Sequence, residues 1–293
     1  MAPPADRPGG LTNFQKRILS AAVLLPVVIG AIVLGHPYFT ILVALFAVVM
    51  AWEWTAVAAH VRTSAQASPV PAPSGRGWRM LAALAATTVV VAVLDTGFAG
   101  RVEREGCVII ALGVLATGAV AWAANRPRMP WFMAGAVYVA LPATALVAIR
   151  AEPELGRAAL VWIITLVVAA DTGGYLVGRT FGGPKLAPRI SPNKTWSGLA
   201  GAVAGAALAG LSTAFVLNHT NVWMLTLISA GLGLVEQVGD LVESAFKRHF
   251  EVKDTSRIIP GHGGVLDRVD GLLAVALAVW IANEWAGGSV LAW

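Results

Sequence analysis

Carboxylates in apolar runs are the residues of this sequence that invite a chemical explanation, because a charge at membrane depth costs several kcal/mol unless it is paired, wetted or bound to metal. Asp171 lies near the end of one run. Glu236, Asp240 and Glu243 follow at i, i+4 and i+7, one face of a helix. Asp267 and Asp270, three apart, open another run. Two segments, 179–197 and 247–267, adjoin these acids and are dense in Gly, Pro, Lys and Arg. Gly173, Gly174, Gly178, Gly182 and Gly183 follow Asp171, and Gly261, Gly263 and Gly264 precede Asp267. Glycine permits positive φ and close backbone approach, and successive N–H groups can form an anion nest, so glycine beside Lys and Arg suits phosphate. Carboxylates next to phosphate suit Mg²⁺, which binds through one or two carboxylates and substrate oxygens.

Each part has a plainer explanation. A lone buried acid such as Asp95 or Glu284 commonly pairs with a neighbour to fix helix packing, and membrane helices use glycine to approach closely. Glu53, between Trp52 and Trp54, stands open between packing and function. His262, flanked by glycines, is either a solvent-facing loop residue or a contact to a phosphate or leaving group. The combination is more specific than its parts, since it gathers acid, base and glycine at one interface. Neither GxxxxGK[ST] nor GxGxxG occurs, so P-loop and Rossmann phosphate binding do not apply.

The elements that must position these groups follow from composition. Of 293 residues, 57% are hydrophobic and 13% charged, with a mean hydropathy of +0.72, which excludes an ordinary soluble globule. A single cysteine, Cys107, excludes disulfide frameworks and Cys-rich zinc sites. Nine apolar stretches can each cross a bilayer, near 18–34, 38–59, 79–97, 107–124, 131–149, 158–178, 198–217, 222–246 and 268–286. The expected fold is an all-α, polytopic integral membrane protein with about nine transmembrane helices. The first stretch ends in Gly35-His36-Pro37 without a small-residue cleavage site, and reads as a retained helix.

With the N-terminus in the cytoplasm, 17 of the 21 Lys and Arg fall on the inner side, leaving Arg101, Arg104, Arg150 and Arg157 outside. The count predicts N-terminus in and C-terminus out, with both Gly/Lys-rich loops cytoplasmic. It also explains a pI near 9.8 without nucleic acid. The segment Thr63–Gly77 and the tail Met1–Gly10 read as flexible. The chain divides into residues 1–150, five N-terminal spans, and 151–293, a catalytic membrane domain of four spans and two loops. No internal repeat supports a transporter of inverted halves.

From Ser244 to Asp270 the sequence SAFKRHFEVKDTSRIIPGHGGVLDRVD, read as S-x-x-K-R-x4-K-D-x5-P-G-H-G-G-x-x-D-R-x-D, resembles the signature of the phosphatidate cytidylyltransferase (CDP-diacylglycerol synthase) family. The block from Asp171 to Gly198, DTGGYLVGRTFGGPKLAPRISPNKTWSG, extends the likeness. Ser197 departs from it, standing where an acidic residue is expected. The resemblance implies that CTP and phosphatidic acid give CDP-diacylglycerol and pyrophosphate, with Mg²⁺, in the plasma membrane of a bacterium. A lipid phosphate is already anionic, so the site must supply positioning and charge neutralisation rather than a strong base.

On that reading Asp240 and Asp267 are the principal metal ligands, two cations per site, with Glu243, Asp171 and Asp270 as further ligands or their support. Lys194, Lys253, Arg268 and His262 act on the phosphates. Lys185, Arg189, Ser191, Asn193, Lys247, Arg248, Gly261, Gly263 and Gly264 bind substrate, Lys185 and Arg189 toward the lipid headgroups. The expected partners are CTP, phosphatidic acid and membrane lipid, with a second copy of the chain as an option and no nucleic acid. The rival readings are a CDP-alcohol phosphatidyltransferase, whose D-G-x2-A-R motif is absent, and a transporter, which would not need two Gly/Lys loops on one side.

Overall fold

The computed structural model describes residues 13–59, 76–99, 104–218, 221–259, 261 and 263–293. Within them the chain is nearly all helical. The long helices are α1 (Asn13–Leu34), α2 (Tyr38–Ala59), α3 (Arg76–Ala99), α4 (Arg104–Asn125), α5 (Met129–Ala151), α6 (Gly156–Phe181), α7 (Trp196–Leu217), α8 (Val222–His249) and α9 (Leu266–Ala286). Each of the nine apolar stretches lies on one of them. Seven are long and apolar enough to cross a membrane; in α1 and α3 the apolar runs Ile18–Leu34 and Ala82–Thr96 are shorter.

Two details amend the sequence expectation. The chain is not purely α: the segment between α6 and α7 holds an antiparallel hairpin, β1 (Lys185–Ala187) with β2 (Ser191–Thr195), Lys185 facing Thr195 and Ala187 facing Ser191. Strands of three and five residues interrupted by proline are too short to leave a period-2 pattern. The expected flexible segment 63–77 falls outside the described residues except Arg76 and Gly77, which begin α3. The tail 1–10 and His262 are outside them too.

One apolar core runs through both halves of the chain, from Ile32, Val57 and Val139 to Leu166, Ala206 and Leu273. The α6–α7 pair is unusually intimate. A Cβ on Gly201 would come 2.5 Å from the Gly173 carbonyl oxygen, and one on Gly205 would strike the Ala169 carbonyl. These glycines therefore let two backbones touch, the close packing that small residues provide where lipid supplies no hydrophobic drive. Side-chain caps fix the starts of two helices. Thr195 ends the hairpin and caps α7 by accepting from Gly198 N at 3.1 Å, and the Asn221 side chain caps α8 through Met224 N at 3.1 Å. The cap residue of α9, Val265, offers no side-chain acceptor.

Candidate active site

The end of α6, the hairpin, the start of α7 and the inner face of α8 enclose a cavity of about 540 Å³. Its lining includes Asp171, Tyr175 and Arg179 from α6, Lys185, Asn193 and Lys194 from the hairpin, and Gln237 and Asp240 from α8. Gly182 and Gly183, at φ of 60° and 104°, turn the chain at its rim and leave that rim open. Lys194 Nζ lies 2.6 Å from Asp240 Oδ2 and donates to Gln237 Oε1 at 2.8 Å. Gln237 Nε2 in turn donates to Glu236 Oε2 at 2.8 Å, and Ser244 Oγ donates to Asp240 Oδ1 at 3.2 Å. Glu236 is buried and lies close to Asp171. Asp171 also feels the charges of Lys194, Asp240 and Arg268, although Arg268 does not line the cavity.

A second cluster, dry and closed, lies behind the first. Lys247 Nζ is held between Glu243, four residues earlier on α8, and Asp267 Oδ1 at 2.9 Å. Asp267 also accepts from Thr255 N and Gly264 N, each at 3.0 Å to Oδ2, so it ties the signature segment to α9. Glu53, on α2, accepts from Ser256 Oγ, from Val265 N at 2.9 Å and from Leu266 N at 2.8 Å. Around it, Trp54 stacks on Phe246 of α8 with ring centroids 3.7 Å apart and donates Nε1–H to the Trp131 carbonyl. Asp270 stands between the two clusters, within reach of the charges of Asp240, Lys247 and Asp171.

The residues expected to do chemistry are thus divided. Asp171, Asp240, Lys185, Asn193 and Lys194 face the cavity, while Ser191 is partly buried in β2 and Arg189 is exposed on the turn before it. Glu243, Lys247 and Asp267 belong to the closed cluster. The Lys247 ammonium is engaged by an i,i+4 acid and by Asp267. Arg248 is exposed and donates to the carbonyls of Ile190 and Val252, both at 3.3 Å, pinning the hairpin turn to the end of α8. Lys253 is exposed on the loop, away from the cavity lining.

The glycines also serve differently from the anion nest expected of them. Gly263 N–H donates to Ile259 O at 3.2 Å and Gly264 N–H to Asp267, so neither donor is open. A Cβ on Gly264 would lie 2.8 Å from Glu53 Oε1: the missing side chain makes room for the carboxylates. Gly261 has a φ of 78° and serves the turn. Gly173 packs on α7, whereas Gly174 and Gly178 both pack there and line the cavity. Sequence reasoning passed over Gln237, although its place three residues before Asp240 puts both on one helical face. It also left out Tyr175 and Arg179, which are four apart on α6 and joined by a hydrogen bond from the guanidinium. Ser197, where an acid was expected, donates to the Gly182 carbonyl and ties the start of α7 to the glycine turn.

Among the described residues no three His, Cys, Asp or Glu are grouped as a ready metal cage. The donor set at the cavity, the hard carboxylates of Asp171 and Asp240 beside an open volume, fits a magnesium ion completed by water and phosphate oxygens.

Carboxylates, lysines and an arginine thus line one open cavity among helices apolar enough to cross a membrane. The profile of the cytidylyltransferase family matches residues 15–285, and the chain belongs to that family. Among its relatives, the phosphatidate cytidylyltransferase of Brucella suis is 34% identical over 276 residues, 92% of this chain and 93% of the relative. That of Pseudomonas aeruginosa is 32% identical over 284 residues, 94% of this chain and 98% of the relative. The Mycobacterium leprae relative of the same name is 44% identical over 133 residues, 45% of this chain and 43% of its own length.

Proposed function

We propose that this cavity is where CTP and phosphatidic acid react to give CDP-diacylglycerol and pyrophosphate. An oxygen of the lipid phosphate attacks the α-phosphorus of CTP, one P–O bond forms, and the bond to the β-phosphate oxygen breaks. The observation that carries the reading is the pairing of Lys194 with Asp240 at the wall of an open cavity, beside Asp171, Arg179 and Lys185. An ammonium held by a carboxylate in a wet cleft can be handed to an incoming phosphate, which leaves the carboxylate free for a cation. Arg268 and Arg179 supply further positive charge, and Lys185 and Asn193 line the nucleotide's approach.

Mg²⁺ is the proposed cofactor, two ions per site. Asp240 and Asp171 would hold them, with Asp270 beside them and Asp267 supporting from behind. A metal ion held there would supply positive charge against the charge gathering on the pyrophosphate. The chain's own residues do the rest: they orient the two phosphates in line and exclude bulk water.

The enzyme spans the plasma membrane of a bacterium nine times, with the N-terminus and the cavity facing the cytoplasm. The excess of Lys and Arg on that side supports the orientation. Tyr175 lines the cavity and is exposed, and Leu176, Phe181 and Trp196 are exposed on the same ends of α6 and α7, an apolar surface along which a two-chain lipid would enter without leaving the bilayer. Two experiments test the proposal. Purified protein with Mg²⁺ should incorporate labelled CTP into lipid only when phosphatidic acid is supplied; no incorporation would overturn the reaction. On a Cys107→Ser background, Asp240→Cys should react with an impermeant thiol reagent from the cytoplasm and be protected by CTP with Mg²⁺. Labelling from the outer face instead would overturn the topology.

A further inference from the structure

Helix α9 starts at the signature segment, yet nothing local caps it. Val265, at the cap position, has helical dihedrals and no side-chain acceptor. The first amides of a helix have no intrahelical partner, and leaving them unsatisfied in a buried place is destabilising. Here the acceptor comes from 212 residues away in sequence. Glu53 of α2 is fully buried, with no exposed surface, and takes Val265 N on one oxygen and Leu266 N on the other. The first oxygen also accepts from Ser256 Oγ, and that hydroxyl accepts from Ile258 N at 3.2 Å. One carboxylate therefore holds both ends of the stretch between Ser256 and Leu266, the stretch containing the Pro-Gly-His-Gly-Gly turn.

We infer that Glu53 is a positioning residue for the reaction: it sets the place of the signature segment, and through it of Asp267 and Arg268, from a helix that contributes nothing to the cavity wall. The argument rests on geometry and on the reaction proposed above. Leu266 is the immediate neighbour of Asp267, so an anchor at Leu266 N fixes the backbone from which Asp267 reaches Lys247, Thr255 and Gly264. All three groups hydrogen-bonded to Glu53 are donors, and the Asp267 carboxylate lies beyond them across Gly264. An ionised carboxylate accepts from all of them, whereas glutamine at the same place keeps one accepting oxygen and turns an N–H₂ toward a donor. Gly264 belongs to the same device, since any Cβ there would meet Glu53, Thr255 and Asp267. Trp54, stacked on Phe246, holds α2 against α8 beside it.

The test uses the full-length protein in detergent or nanodiscs and three variants: Glu53→Gln, Glu53→Asp and Ser256→Ala. Glu53→Gln should lower kcat about 10- to 100-fold, the usual cost of removing support from behind a reacting group, with KM for CTP changed less than about 3-fold. Ser256→Ala, which removes one of the three contacts and leaves the carboxylate, should lose less, and Glu53→Asp should recover part of the loss. Hydrogen exchange should quicken at residues 255–266 in Glu53→Gln while the hairpin 185–195 keeps its protection. A Glu53→Gln enzyme with native kcat, or one whose exchange quickens throughout α2 to α5, would overturn the inference, the second result marking Glu53 as general scaffold. Native protein that makes no CDP-diacylglycerol would count against the proposed reaction, and the exchange pattern would still decide whether Glu53 anchors the segment.

Discussion

Two lysine–carboxylate pairs share α8, Lys194 of the hairpin with Asp240, and Lys247 with Glu243 and with Asp267 of α9, and they differ in access to water. Lys194 and Asp240 have side chains 17% and 29% exposed at the cavity wall. Lys247 is 12% exposed, and its partners Glu243 and Asp267 are 0% and 4% exposed. A wet pair exchanges partners at little cost, because its desolvation is incomplete and its net contribution to stability is about 0–1 kcal/mol. A dry pair is committed: breaking it by removing one partner leaves a buried charge, at about 3–5 kcal/mol. On the proposed reaction, the open pair would do the chemistry and the closed pair would hold the segment that surrounds it. It also shows that acids of one sequence signature need not share one task.

The largest effect should separate the two aspartates. Asp240→Asn should lower kcat by at least about 10³-fold, near 4 kcal/mol of barrier, with the thermal unfolding midpoint unchanged. Asp267→Asn should lose activity and also unfold at lower temperature, because the amide cannot accept from Lys247, Thr255 and Gly264 together. Asp267→Asn protein that is inactive yet as stable as native would break the distinction and return Asp267 to the metal-binding set.

The lysines test the same division from the other side. Lys247→Met leaves Glu243 and Asp267 facing each other in a dry site, and should destabilise by about 3 kcal/mol or more. Lys194→Met should leave the unfolding midpoint almost unmoved and abolish turnover. Lys194→Arg, which keeps the charge but changes its shape and donor geometry, should recover little activity if phosphate contact is the role. Chemical denaturation in micelles paired with turnover reads both quantities.

Gly201→Leu comes next in size. Its side chain would enter the contact with Gly173 and Val177, where backbone leaves no room to yield. Overpacking of this kind costs about 1–3 kcal/mol, and it should separate α6 from α7 enough to deform the cavity, raising KM for CTP before kcat falls. Native KM with lowered stability would show that the helix contact and the cavity are independent.

Local signals were legible in the sequence and distant ones were not. The apolar runs located the nine long helices among the described residues, since a helix that meets lipid or core must be apolar along its length. The i, i+4, i+7 spacing put Asp240 on a face with Glu236, and composition put Lys194 near it. The same spacing contained the Glu243–Lys247 pair, yet a lysine four residues after an acid is equally consistent with a substrate contact, so spacing alone could not choose. Glu53 lay beyond local reasoning altogether: it meets Val265 only because α2 and α9 pack, and nothing around Trp-Glu-Trp encodes a partner 212 positions on. The glycines of α6 were read for phosphate approach because their type is visible and their neighbour, the backbone of α7, is not.

The smallest effect is expected farthest from both pairs. Glu152 sits in the turn between α5 and α6, at the opposite end of α9 from the site, beside Trp280, Asn283 and Ser289. Burial raises its carboxyl above the ordinary value of 4.5, and the Ser289 amide and hydroxyl offset this only in part. A raised folded value means the native state holds its proton to higher pH than the unfolded chain does. Between those two values the folded form binds more protons, so stability declines as pH rises from about 4.5 and stays lower above the folded value. Glu152→Gln cannot lose that proton. The variant should therefore match native stability in acid, exceed it slightly at neutral pH, and leave kcat and KM unchanged. Thermal midpoints taken across that pH range check the sign, and a variant less stable than native at neutral pH would mean that the charged carboxylate, held by Ser289, stabilises this end of the bundle.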